Sequence, residues 1–172
     1  MNWKDKIAYG MLETKLAGIT REAKLTCLDK AQKIGVLWHI SDMEAFQYIN
    51  EYLKHRHSII RKLCYTGKKE IPSEHSNTFS KKDLTWLGFP ESGQVTTFVD
   101  LDFDILLNIS TVRLFPLDAI MALSKASFKI GWSPREHNHL DLNIDINKNI
   151  DSLYLVKQEI FYLDQLNNSS KK

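Results

Sequence analysis

Polar and charged side chains follow each of four predicted strands in this chain of 172 residues. An arginine in such a turn offers a bidentate fork to phosphate or carboxylate, and a lysine offers a point charge. A helix N-terminus beside them adds backbone N–H donors. Because ligands of open parallel sheets bind beyond the carboxyl ends of the strands, the sequence predicts a site for a small anionic ligand at His39, Ser41, Asp42, Lys68, Ser110, Arg113 and Arg135.

No signature of a specific reaction accompanies these residues. The turn after the first predicted strand, WHISDMEAF, has no glycine, whereas phosphate loops need glycine to let the backbone approach a pyrophosphate. No nucleophile elbow of the type GxSxG is present either. His137, His139 and Asp141 alternate as metal ligands on one strand face would, but exposed residues on an edge strand are the better explanation. No metal or cofactor is therefore predicted, and whether the protein is an enzyme stays open.

The residues that could do chemistry must be positioned by a strand–helix–strand unit over residues 103–132, FDILLNISTVRLFPLDAIMALSKASFKIGW. Pro116 suits the first turn of its helix, where the missing N–H costs nothing. Parallel strands need such a crossover. We expect a single three-layer α/β sandwich of the Rossmann-like kind, with about five mostly parallel strands flanked by helices. The predicted strands are 34–40, 58–65, 103–109, 127–132 and 140–146.

Three segments divide the chain. Residues 1–31 are predicted to be helical, because Trp3, Ile7 and Met11 recur at helical spacing. Residues 32–166 form the α/β domain, and the polar end, 167–172, is predicted to be a disordered tail. Within the domain, the polar stretch 67–82 is predicted to be a loop.

Composition narrows the class of protein. The net charge is only +2, and basic residues alternate with acidic ones, so binding to nucleic acid or to a membrane is not favoured. Apolar runs are too short for a signal peptide or a membrane span, which predicts a cytoplasmic protein. Cys27 and Cys64 are expected as two buried thiols, although a bridge between them is not excluded by their number.

Two functional hypotheses follow. The first is a non-catalytic Rossmann-like module that binds a partner protein through the N-terminal helix and the loop that carries Trp86 and Phe89. It rests on a complete fold without a reactive constellation. The second is an enzyme or sensor of a phosphosugar or nucleotide at the carboxyl ends of the strands.

Several blocks resemble a family of uncharacterised bacterial proteins, catalogued as a domain of unknown function. They are KIGVLW, FSKKDLTWLGFP, FDILLNIS, FPLDAIMALSKASFKIGW, LDLNIDI and IFYLDQL, and the resemblance runs from Lys33 to Leu166. It implies the α/β fold and no activity. One departure is Asn108, at a position where an acidic residue is common in the family.

A weaker resemblance is to the N-terminal half of heptosyltransferase-like glycosyltransferases, through FDILLNI and LSKASFKIGW. It implies an aspartate in the turn after the first strand, where this chain has Asp42, preceded by Ser41 instead of glycine. Those enzymes bind their nucleotide-sugar donor with a second domain that this chain lacks.

Overall fold

The computed structural model describes residues 2–67 and 77–169. It contains five α-helices and six strands in the described ranges. The helices are α1 (Trp3–Leu16), α2 (Met43–Leu53), α3 (Gly93–Asp100), α4 (Phe115–Leu123) and α5 (Ser152–Ser169). The strands are β1 (Lys33–His39), β2 (Ile59–Tyr65), β3 (Thr78–Phe79), β4 (Ile105–Asn108), β5 (Phe128–Gly131) and β6 (Leu142–Asn143).

All six strands pair in parallel, in the order β3-β2-β1-β4-β5-β6. This is the Rossmann order, in which the sheet grows in opposite directions from its centre. The predicted α/β fold is confirmed, with one strand more than expected. That strand, β3, lies within the stretch predicted as a loop and pairs with β2 over two residues only.

Helices cover both faces of the sheet, as the continuous apolar runs of β1 and β4 require. One core lies between the sheet and helices α2 and α5, and includes Trp38, Ile49 and Leu163. The other lies beneath α3 and α4, and includes Leu106, Phe98 and Ile120. The result is the predicted three-layer sandwich.

Helix α1 packs against α4, where Leu12 meets Ala119 and Ala122. It ends at Leu16, although a helical segment was predicted to residue 31. Residues 17–27 are irregular because Gly18 weakens the helix and because Arg21 is hydrogen-bonded to the segment just before β5. Its guanidinium donates to the backbone carbonyls of Ala126 and Ser127, at 2.6 Å and 3.2 Å.

Three further expectations concern the C-terminal end, the two cysteines and the crossing of a membrane. Helix α5 extends to Ser169, so the backbone of residues 167–169 is helical and not part of a disordered tail, and residues 170–172 lie outside the described part. Cys27 and Cys64 are both buried thiols. In the described ranges, every helix is too short or too polar to cross a membrane.

Candidate functional site

The sheet reverses its order between β1 and β4, and a buried carboxylate lies where these two strands end. Asp42, only 4% exposed, accepts hydrogen bonds from the hydroxyls of Ser110 and Ser152. The backbone N–H of His39 also donates to it, at 3.3 Å. Burial raises the pKa of Asp42, while these donors lower it in part. The carboxylate thus joins β1, β4 and the start of α5.

Asp42 also precedes the first residue of α2, which is where Rossmann folds bind phosphate. The Asp42 side chain makes no capping hydrogen bond to α2, because its carboxylate bonds to Ser110, Ser152 and the His39 N–H instead. Beside it, the ring Nδ1 of His39 lies 2.7 Å from Oγ of Ser41 and accepts from the Ser41 N–H. These bonds close a tight turn over Ile40–Asp42. The four predicted site residues His39, Ser41, Asp42 and Ser110 form one local network.

The other two described site residues, Arg113 and Arg135, line a cleft nearby, at the carboxyl ends of β4 and β5. Its outer part has a volume of about 850 Å³ and its inner chamber about 180 Å³. The cleft is bounded by α1, the start of α4 and the segment after β5. Lys68, the seventh predicted residue, lies outside the described residues. The walls common to both parts are Tyr9, Asp118, Arg135 and His137.

A stack of three side chains divides the outer part from the chamber. The guanidinium carbon of Arg135 lies 3.7 Å from the ring centroid of Tyr9, in a cation–π contact. The hydroxyl of Tyr9 donates to the carboxylate of Asp118. Burial, together with Asp118, raises the pKa of Tyr9, so the phenol stays protonated at neutral pH. The stack holds Arg135 in place at the entrance of the chamber.

The outer part of the cleft is lined by three carboxylates, Asp5, Asp118 and Glu136, and by two guanidiniums, Arg113 and Arg135. Asp5 belongs to the capping box of α1, where it bonds to Asn2, and Asp118 accepts from Tyr9. Arg113, by contrast, is exposed and forms no ion pair with any residue that the structure describes. An entering anion can therefore bind Arg113 without displacing an ion-pair partner, while the three carboxylates of the wall oppose its approach.

The chamber behind this stack is mostly apolar, with Met121, Trp132 and Leu140 in its wall. Its polar groups include Asn108, at the end of β4, and Ser133, just after β5. Gly131 keeps the space between these strands open: a Cβ there would lie 3.2 Å from Cβ of Asn108 and 3.4 Å from Leu140. In the described part of the chain, no three His, Cys, Asp or Glu side chains come together as a metal site.

The sequence placed Arg113 and Arg135 at the correct edge of the sheet but missed Tyr9 and Asp118. These two residues are 109 positions apart, and no local pattern joins them. The one signal in the sequence was Tyr9 itself, an aromatic residue with a hydroxyl group on a helix face that combines apolar and charged side chains. His137 and His139, considered above as edge-strand residues, both line the chamber.

Comparison with known proteins identifies a family without an assigned activity. The family described as "Family of unknown function (DUF6913)" matches residues 4–166. Neither the curated proteins nor the solved structures gave a match. The family resemblance is thus confirmed at the level of an unknown function, and the resemblance to glycosyltransferases gains no support.

Proposed function

Because this chain belongs to the DUF6913 family of unknown function, we propose its role from the cleft: it is a binding module for a small anionic ligand. The ligand is a phosphosugar or a nucleotide, and it lies at the carboxyl ends of β4 and β5. The observation that carries the proposal is that Arg113 and Arg135 line one cleft. A cytoplasmic location stays a prediction.

Arg113 and Arg135 have different roles in binding the anion. Arg113 is exposed at the rim, where its charge attracts the anion and its fork can take two phosphate oxygens. Arg135 is already oriented by Tyr9, so little side-chain entropy is lost when it binds. Both guanidiniums form stronger hydrogen bonds with a phosphate than with a neutral ligand, and the carboxylates of the same wall, Asp5, Asp118 and Glu136, oppose binding in part.

The inner chamber binds the part of the ligand beyond its phosphate group. Asn108 and Ser133 can bond to hydroxyl or ring oxygens, while Met121 and Leu140 contact a carbon framework. Trp132 also lines the chamber, and its buried indole N–H has no acceptor among the described residues. A ligand oxygen that reached this N–H would satisfy it.

A thermal-shift experiment with inorganic phosphate, glucose 6-phosphate and AMP tests the proposal. A probe at 100 times its dissociation constant adds about 2.7 kcal/mol of stability. For a chain of this size, that corresponds to a rise in Tm of about 5 °C or more. Arg113→Ala removes a charge-assisted contact worth about 1.5–3 kcal/mol, so we expect its affinity for the active probe to fall about 10- to 100-fold.

Arg61→Ala provides the matched control. Arg61 is exposed on β2, outside the cleft residues, and its loss changes the net charge by the same amount. We expect it to leave the shift intact, whereas Arg113→Lys should restore it only in part. An equal loss in Arg61→Ala and Arg113→Ala would show a general charge effect, and the cleft would then not be the site.

A second candidate function is the binding of a partner protein. It is favoured by exposed apolar side chains on α1 and in the loop that carries Trp86. Trp86 is 73% exposed and Trp3 is 62% exposed, and Ile7 and Met11 extend the stripe along α1. Phe89, expected to contribute to this surface, is buried against the ring of Phe115 instead. Trp86 and α1 are therefore the part of the predicted surface that a partner can contact.

Site-specific photo-crosslinking tests this second candidate in cells. A photoreactive amino acid at position 86 is expected to give one defined adduct, and Trp3→Ala should weaken that adduct several-fold. The same probe in place of Tyr162, which is exposed on α5, is the control. Only uncrosslinked chain at position 86, or the same adduct from position 162, would contradict a docking surface on α1.

A further inference from the structure

A second cavity, separate from the anion cleft, contains a buried lysine. It has a volume of about 370 Å³, within the range of small-molecule sites. Lys129, on β5, lines it, and the residue is only 2% exposed. The segment after α1 covers this cavity through Leu16 and Ile19. Glu13 and His139, whose side chains lie 3.3 Å apart, stand between the cavity and the inner chamber.

The hydrogen bonds of Lys129 fit a neutral amine better than an ammonium. Its Nζ donates to the carbonyl of Ala122, at 2.9 Å, near the end of α4, where carbonyls lack intrahelical donors. An ammonium has three N–H donors, and Ala122 supplies the one acceptor that Nζ has among the described residues. A neutral amine keeps a lone pair instead.

Burial and the neighbouring guanidinium both favour the neutral amine, and one carboxylate opposes them. Burial lowers the pKa of Lys129 to about 7, the guanidinium of Arg21 lowers it as well, and Asp141 opposes the shift. Arg21 is held by Asp141 and by two backbone carbonyls, so it cannot move away when Lys129 is charged. Glu13 and His139 complete the titratable groups that line the cavity.

We propose that Lys129 is a reactive amine that forms a Schiff base with a small aldehyde or ketone entering this cavity. The lone pair of Nζ attacks the carbonyl carbon while the C=O π electrons move to oxygen. A proton passes from nitrogen to that oxygen, and the carbinolamine loses water to leave a C=N bond. The step needs no oxidant or reductant. Protonation of the product gives a cation that Asp141 and Glu13 can stabilise.

Reductive trapping of the native protein with propanal and sodium cyanoborohydride at pH 7 tests this proposal. Lys125 is the internal reference, because it is exposed and lies four residues away. At this pH an ordinary exposed lysine is neutral in about one molecule in 2,500, whereas a desolvated lysine is a far better nucleophile. Peptide mass mapping is expected to show at least tenfold more label on Lys129 than on Lys125.

Three further measurements distinguish the folded site from the ordinary reactivity of a lysine in a peptide. In urea that unfolds the protein, the two lysines should label equally. Between pH 7 and pH 9, the excess on Lys129 should shrink, because its neutral fraction can only about double, whereas that of an exposed lysine rises about a hundredfold. Lys129→Met should lose one adduct from the total mass. Label on native Lys129 that is equal to or below that on Lys125, or a preference that persists in urea, would overturn the proposal.

Discussion

Replacing Glu159 with methionine is expected to raise the free energy of unfolding by about 2 kcal/mol or more at pH 7. Glu159 lies on the face of α5 that carries Leu155, Val156 and Ile160, and its exposed fraction is zero. Neither carboxyl oxygen has a hydrogen-bond partner among the described residues. Methionine has a similar length, adapts to irregular core space and removes the desolvation cost.

The pH dependence of stability identifies the carboxyl as the cause. Burial raises the pKa of Glu159 well above its usual value of 4.5. The unfolded chain therefore releases this proton first, and stability falls as the pH rises above about 4.5, until the pKa of the folded state is reached. The slope is up to about 1.4 kcal/mol per pH unit. Urea unfolding at several pH values measures it.

Two control variants complete this test. Glu159→Gln should remove the pH-dependent part, yet it should remain less stable than Glu159→Met because a buried amide is still unsatisfied. Glu22→Met, at an exposed position, should change the free energy of unfolding by less than about 0.5 kcal/mol. If Glu159→Met were less stable than the wild type at pH 7, the carboxyl would have a stabilising partner.

Substitution of Gly35 by alanine is expected to lower the free energy of unfolding by about 1–3 kcal/mol. A Cβ at this position in β1 would lie 2.8 Å from Cδ1 of Leu106 and 3.0 Å from Cε2 of Phe103. Both neighbours are fully buried, so the strand or the core must shift to admit the methyl group. The urea midpoint should fall while the m-value stays constant.

Gly10→Ala is the matched control, with the opposite sign. Gly10 is exposed within α1, and no heavy atom lies within 4 Å of a Cβ built there. Alanine favours the helix over glycine by about 0.8–1.0 kcal/mol, so this variant should be the more stable. A Gly35→Ala variant as stable as the wild type would show that the interface of β1 with β4 has room for a methyl group.

The strands were the most predictable part of the chain, because their signal is local. The apolar run that became β1 predicts a strand covered on both faces, and the alternation over 140–146 predicts a half-exposed edge strand, of which only Leu142–Asn143 forms β6. Strand β3 was not predicted because Thr78 and Phe79 form a strand only by pairing with β2. Two residues carry no periodicity from which to predict an element.

The N-terminal segment shows the limit of helical periodicity. The spacing of apolar residues continues past Leu16, but the chain there is held by bonds from Arg21 to carbonyls more than 100 positions away. Such a partner is visible only after folding. The same tether covers Lys129, so the environment of that amine depends on it as well.

The sequence by itself predicted a parallel sheet between two layers of helices. It also predicted that Arg113 and Arg135 lie at the carboxyl ends of the strands. Only the tertiary structure showed that the Asp42 carboxylate joins β1, β4 and α5, that Tyr9 and Asp118 build the cleft wall, and that Lys129 and Glu159 are buried. The physical reason is range: periodicity reflects contacts within a few residues, whereas desolvation depends on every segment that packs around a charge.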